Sequence, residues 1–311
     1  MADLFSRLTI DGHELPNRIV LAPLASGLAA DDGFAGPELA ARFGRFARGG
    51  VGLLLSEPLL VTPPPAAGGP HVGAYADAFV PGLRQLVAAG RAHGAPVLLT
   101  LDAPAPAAPP APAALAALVE AYLLAGRRAM AAGADGIMLT TADGGLLHSL
   151  LSPLRNARGD AYGGDLAGRL RLTVEVVEGI RRWLGRRVLL GCRILADELA
   201  PGGLGLQDAR VVAKRLTAAG VRLLDVAAPP ASPQVARFPG WAVPLASSIR
   251  RITDVPVIGS GLLGDPALAD SLVRDGSLDL VMLGAALRAD PDWPRAAREQ
   301  LAATRDPRAR R

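Results

Sequence analysis

Four residues with chemistry to offer stand at or just past the ends of apolar runs. Glu57 follows Gly52–Ser56, Asp102 follows Val97–Leu101, Asp143 comes three residues after Gly136–Thr140, and Arg193 closes Val188–Arg193. A carboxyl group in an apolar mouth takes a raised pKa and can act as a general acid. An arginine is the right group to hold an anionic or enolic oxygen. Thr100 and Thr140 add hydroxyls that both donate and accept. Plainer roles exist for each. Asp143 before Gly144-Gly145 suits a turn-forming residue, Arg193 suits an ion pair at a rim with Asp197 or Glu57, and Trp241 and His148 suit packing. Other chemistries lack their motifs. There is no P-loop, no H-E-x-x-H and no C-x-x-C. Four scattered histidines (His13, His71, His93, His148) and the single Cys192 predict no metal site.

The elements that must carry these residues repeat one pattern. Eight short apolar runs read as parallel strands buried on both faces: Ile19–Ala22, Gly52–Ser56, Val97–Leu101, Gly136–Thr140, Val188–Arg193, Leu223–Ala227, Val257–Ser260 and Leu280–Gly284. Helical stretches lie between them, clearest over about 113–132, 169–184 and 206–220. Before them, Leu8-Thr9-Ile10, Asp11-Gly12 and Glu14-Leu15 read as a small hairpin. Eight βα repeats predict an α/β fold, a (β/α)8 TIM barrel with the hairpin plugging its bottom, as one domain over 1–311 with a loose tail at about 304–311. A doubly wound open sheet is the competitor, weakened because no G-x-G-x-x-G follows the first strand. The Pro-rich segment 103–112 reads as a βα loop on the functional face.

Composition narrows the field. Half of the 311 residues are hydrophobic and 4% are aromatic, so a large aliphatic core is available. Thirty-three basic against 29 acidic residues give a net charge of +4. The basic side is almost all arginine, Lys214 being the sole lysine, and no basic block precedes the tail, so no nucleic-acid partner is expected. The uncharged stretch after Asp102 carries Pro104, Pro106, Pro109, Pro110 and Pro112, so no membrane helix is expected there. No signal-peptide pattern is visible. A cytoplasmic protein with a small-molecule substrate, free to oligomerise, is the expectation.

Three segments resemble the Old Yellow Enzyme family of flavin-dependent ene-reductases. They are Leu4-Phe5-Ser6 with Asn17-Arg18-Ile19-Val20-Leu21-Ala22-Pro23, then Leu151-Ser152-Pro153 through Asn156, Arg158, Asp160, Tyr162-Gly163-Gly164 and Arg169, and finally Asp279–Gly284 with Ala289-Asp290-Pro291-Asp292-Trp293-Pro294. The resemblance implies a (β/α)8 barrel with FMN across its top, in agreement with the strand count.

Position by position, the resemblance also implies losses. A Thr or Cys that tunes the flavin is here Ala25. A backbone N–H that reaches the ring is lost at Pro58. A Gln that grips the pyrimidine is here Thr100. Two His or Asn positions that bind the substrate carbonyl are here Thr140 and Asp143, and an ionised Asp cannot donate to a carbonyl. An Arg on the phosphate is here Ala285, after Gly284. The phosphate turn survives as Ser260-Gly261, whose backbone amides can still cradle an anion. Arg193 matches the Arg beside flavin N1 and O2. Taken as independent, the flavin-side losses cost on the order of 4–7 kcal/mol.

That sum leads to the expectation of a barrel without flavin redox chemistry, a cofactor-independent isomerase or cyclase of specialised metabolism. Asp143, Asp102, Arg193 and Thr140 would be catalytic, with Glu57, Trp241 and Ala25 lining the substrate. A divergent FMN-dependent reductase is the alternative, with FMN on Arg193, Thr100, Ser260, Gly261 and Gly284. A non-catalytic binding or assembly partner is the third reading.

Overall fold

The computed structural model describes residues 2–30, 32–64, 71–106, 108, 110–229 and 237–305. It opens with two antiparallel strands, β1 (Leu8–Ile10) and β2 (His13–Leu15). Asp11 and Gly12 between them both have positive φ, 49° and 86°, as a two-residue type I′ turn requires. Ten parallel strands follow: β3 (Ile19–Leu21), β4 (Leu53–Leu55), β5 (Leu59–Leu60), β6 (Val72–Gly73), β7 (Val97–Asp102), β8 (Gly136–Thr141), β9 (Leu189–Leu195), β10 (Leu223–Ala227), β11 (Val257–Gly259) and β12 (Leu280–Leu283). Eight of them close in the order β3-β4-β7-β8-β9-β10-β11-β12 and back to β3. The closure makes a (β/α)8 barrel and rules out the open sheet. The two short strands β5 and β6 were not expected. Strand β5 continues the line of β4 along β7 after a break at Glu57-Pro58, where a residue without an N–H interrupts no ladder bond.

Helices follow each barrel strand. Pro37, Pro112 and Pro266 stand at the first helical position of Pro37–Gly49, Pro112–Ala131 and Pro266–Arg274, where a missing N–H is harmless. Asp165 and Asp265 cap Leu166–Leu184 and Pro266–Arg274 by accepting from the N–H groups of Gly168 and Leu268, at 2.8 and 2.7 Å. A short helix, Leu146–Leu151, precedes Leu166–Leu184 and was not expected. The segment between Asp102 and Pro112 carries no helix or strand among its described residues. At the other end a helix runs over Trp293–Arg305, so residues 304 and 305 are helical; the rest of the expected loose tail, 306–311, lies outside the described residues.

Side chains alternate along each barrel strand. Ile19, Leu21, Leu54, Leu99 and Leu139 face the helices. Val20, Leu53, Leu98, Met138, Leu189 and Leu280 fill the interior, joined by Ile10 and Leu15 from the hairpin. The hairpin therefore seals the bottom of the barrel with apolar side chains that are almost fully buried.

The segment that carried the family resemblance proves to be scaffold. Asn156 Nδ2 donates to the carbonyls of Leu150 and Tyr162, and Arg169 Nε donates to that of Leu151. These bonds fold 151–165 onto the start of the following helix.

Candidate active site

Period-two alternation carries the inward face upward from the apolar floor. Above Leu98 comes Thr100, above Met138 comes Thr140, and above Leu223 comes Asp225. Thr140, Arg193 and Asp225 are register partners on β8, β9 and β10, so they form a polar row on the inner wall near the C-terminal ends of the strands. In barrels of this type that end carries the chemistry.

Arg193 is the centre of the row. Its Nη1 donates to Asp225 Oδ2 at 2.5 Å and its Nε to Asp143 Oδ2 at 2.9 Å. The expected partners, Asp197 and Glu57, are engaged elsewhere: Asp197 accepts from Leu199 N–H and Glu57 from Ser26 N–H, both at 2.7 Å. Burial alone would lower the Arg193 pKa, but the two carboxylates hold it above the ordinary arginine value. Asp225 is fully buried, and burial pushes its carboxyl up against the opposing pull of Arg193. Sequence reasoning passed over Asp225 because it lies inside an apolar strand. The available signal was its spacing of two from Leu223, which fixes it on the inward face.

Asp143 has φ +64° and Gly144 has φ +89°. This left-handed turn aims the Asp143 carboxylate at Arg193, with Thr140 Oγ1 3.5 Å from the same oxygen. The turn is pinned from below. Gly144 N–H donates to His148 Nδ1 at 2.9 Å, which leaves the proton on Nε2 to reach Glu198 Oε1 at 3.2 Å. Burial lowers the His148 pKa, against the pull of Glu198. Asp143, Gly144, His148, Leu195 and Glu198 border a cavity of about 540 Å³ between the loops that follow β8, β9 and β10.

Asp102 lies against the neighbouring loop. Its Oδ1 accepts from Ala103 N–H at 2.8 Å, and a Cβ on Gly145 would come within 2.3 Å of that oxygen. Burial pushes the Asp102 carboxyl up to about 7, with Asp143 adding to the shift and the Ala103 N–H opposing it. The remaining expected residues are more dispersed. Glu57 sits with the exposed Ala25 on the β3–β4 side. Trp241 is half-buried, its ring 5.7 Å from the Arg237 guanidinium, and it does not border the large cavity. Gly261, at φ +119°, gives its carbonyl to Gly240 N–H at 2.7 Å, and Gly284 precedes the short helix Ala285–Ala289.

Whether these residues suit the FMN that the resemblance implies turns on two orphaned atoms. Among the described residues neither Thr100 Oγ1 nor Asp225 Oδ1, both buried, has a hydrogen-bond partner. Buried polar atoms are normally satisfied. With the Arg193 guanidinium they offer a cation, a hydroxyl and an acceptor on one inner wall. That donor–acceptor set fits the polar edge of a flavin ring.

Comparison with known proteins agrees. Residues 113–304 match the sequence model of the NADH:flavin oxidoreductase / NADH oxidase family. The chain is 32% identical to an NADPH dehydrogenase of Geobacillus sp. (strain WCH70), with 97% of this chain and 95% of that protein aligned. It is also 32% identical to an NADH oxidase of Thermoanaerobacter brockii over 96% of its own length, and spans about half (51%) of that relative. Among solved structures, morphinone reductase superposes with a TM-score of 0.82 at 24% identity, covering 96% of this chain and 91% of that one. These findings overturn the expectation of a cofactor-independent isomerase or cyclase, and with it the preference for no cofactor. The family is one of flavin oxidoreductases. Missing contacts do not add as independent losses within one site, and the polar atoms inside the wall offer partners that the replaced side chains do not reveal. The chain belongs to the NADH:flavin oxidoreductase / NADH oxidase family, the Old Yellow Enzyme family.

Proposed function

We propose that this chain is an FMN-dependent oxidoreductase that takes electrons from NADH or NADPH and delivers them to a small organic acceptor. The observation that carries the reading is Arg193, fixed on the inner wall beside a cavity of about 540 Å³ bordered by its own partner Asp143. The nearly full-length relatives named NADPH dehydrogenase support the same reading. Bound FMN would supply a two-electron carrier between nicotinamide and acceptor. Arg193 would hold the anionic oxygen edge of the ring, with the Thr100 hydroxyl beside it. The Ser260-Gly261 turn and the backbone at Gly284 would face the phosphate.

The finer reading is a flavin site that departs from the family's usual contacts at Ala25, Pro58, Thr100 and Ala285. Binding then leans on Arg193 and on backbone groups. Asp143 and Thr140 would orient the acceptor, Asp143 through donors on the substrate, since an ionised carboxylate only accepts. Asp102, holding its proton to about pH 7, is the nearby group able to give one up near neutrality. Glu57, Ala25 and Trp241 would shape the outer rim. An NAD(P)H-linked activity supports a cytoplasmic location. Among the described residues no helix is long and apolar enough to cross a membrane.

The test is the visible absorption spectrum of the purified protein before and after incubation with excess FMN and desalting, followed by oxidation of NADH and NADPH. A retained flavin band that bleaches on adding either nucleotide is expected. A colourless protein that takes up no FMN overturns the reading.

A further inference from the structure

The polar row contains more negative than positive charge. One guanidinium, Arg193, meets two carboxylates, Asp225 and Asp143. The first is fully buried and the second half-exposed, at 0% and 45% of side-chain area. They engage different nitrogens, Nη1 and Nε, so the guanidinium plane is fixed and Nη2 is the nitrogen that neither carboxylate takes. Nη1 also lies 3.6 Å from Met282 Sδ on β12, which shows the side chain reaching across the barrel interior. Among the described residues the Asp225 carboxylate accepts from Arg193 alone: its second oxygen is one of the two orphaned atoms of the wall.

The geometry points to Asp225 as a positioning residue that sets both the direction and the effective charge of Arg193, and so lowers the reduction potential of an FMN held there. The inference rests on the flavin reading above. Reduction brings negative charge onto the ring. A bare arginine beside the ring favours that charge, and a neutralised one favours it less. Ion pairs buried away from water are weakly screened, so the Asp225 carboxylate subtracts strongly from the field of Arg193. Asp143, half in solvent, subtracts less. A purely structural Asp225 would affect stability and leave the potential alone.

The experiment compares the FMN-loaded wild type with Asp225→Asn and Asp143→Asn, each titrated against a reference dye at fixed pH and low salt. Asparagine keeps the shape and removes the charge. Asp225→Asn is expected to shift the reduction equilibrium toward the reduced form by about tenfold, ~30 mV for a two-electron couple, with a smaller shift of the same sign for Asp143→Asn. Should Asp225→Asn fail to fold, the sign of the Asp143→Asn shift decides. FMN uptake with potentials unchanged or lowered in the folded variants overturns this inference and leaves the flavin reading standing. Failure of the wild type to take up FMN overturns both.

Discussion

The floor and the mouth of this barrel are built by the same strands with the same alternation, yet they differ in kind. At the floor the inward side chains are aliphatic or methionine, with Gly191 making room for Met138, and Ile10 and Leu15 fill what the strands leave open. Two strand positions higher the inward residues of β7, β8 and β10 are Thr100, Thr140 and Asp225, with Arg193 beside them on β9, while Ala22, Leu55 and Met282 keep the opposite wall apolar. Among the described residues the orphaned buried atoms on the barrel strands are Thr100 Oγ1 and Asp225 Oδ1, both in this wall; the other two, Tyr122 Oη and Arg181 Nη2, sit on the surrounding helices, Arg181 near Asp11 of the hairpin. Backbone strain divides the same way. Among the described residues, the non-glycine positions with positive φ are Asp143, Leu199 and Leu262, in loops after β8, β9 and β11, and Asp11 in the hairpin turn. Strained positions persist where the surroundings over-determine them, and they gather at sites that act. The floor is organised for packing, and the mouth gives up packing for placement.

The sharpest way to break this contrast is Arg193→Ala. It removes the cation of the row and leaves Asp225 buried beside nothing that compensates it. Stripping one partner from a buried pair costs about 3–5 kcal/mol, readable in urea unfolding, and FMN retention after desalting should be lost as well. Arg193→Lys should recover part of the stability and less of the FMN retention, since a point charge cannot bond two carboxylates and a ring at fixed angles. Its counterpart at the floor is Leu15→Ala. A cavity beneath the barrel costs about 2–5 kcal/mol, a similar loss of stability. In the fraction that remains folded, FMN affinity should be unchanged. If Leu15→Ala weakens FMN binding as much as Arg193→Ala does, floor and mouth are not separate.

What was legible in the sequence follows the same division. The fold could be read because eight apolar runs, an Asp-Gly turn and helical spacing between the runs are local signals, each with its own physical cause. Strand ends fell within two residues of those observed. Strands β5 and β6 were missed because two residues carry no periodicity. The site was half legible. Arg193 was identified through the family resemblance, but its partners were not, since pairing across β9 and β10 depends on register. Asp225 looked like an interruption in an apolar strand. The cofactor was misjudged for a related reason: replaced contacts show in a sequence, whereas unsatisfied atoms on an inner wall show only in three dimensions.

The Asp102 carboxyl sharpens the contrast through pH. Its folded-state pKa, about 7, stands above the unfolded carboxyl value near 4. Between those values the folded protein binds more protons than the unfolded chain, so this residue's contribution is favourable at low pH and declines as pH rises through 7. Three units set a ceiling of ~4 kcal/mol. Asp102→Asn cannot ionise. The stability of the variant relative to wild type should therefore be greatest at pH 8 and least at pH 4, measured by urea unfolding across that range. No such pH-dependent gap is expected for any floor residue, because none there titrates. A gap that does not widen with pH would return Asp102 to the status of an ordinary surface carboxylate.

Asp143 gives the smallest effect on stability and the finest test of the comparison, because two explanations of it make different predictions. As a turn residue it serves the left-handed backbone at φ +64°. As a charge it serves Arg193. Glycine adopts that backbone without strain, so Asp143→Gly should keep the turn, and Asp143→Asn should keep both the turn and the side-chain shape. The lost ion pair is half-exposed and worth about 0–1 kcal/mol, so both variants should unfold within about 1 kcal/mol of wild type. If Asp143 is only a turn residue, NAD(P)H oxidation by both variants should match the wild type. If its charge restrains Arg193 and orients the acceptor, both should change that rate in the same direction, with KM for the acceptor moving more than KM for the nucleotide. A change in Asp143→Gly alone would assign the effect to the side chain's bulk, and the mouth would then be shaped, like the floor, chiefly by packing.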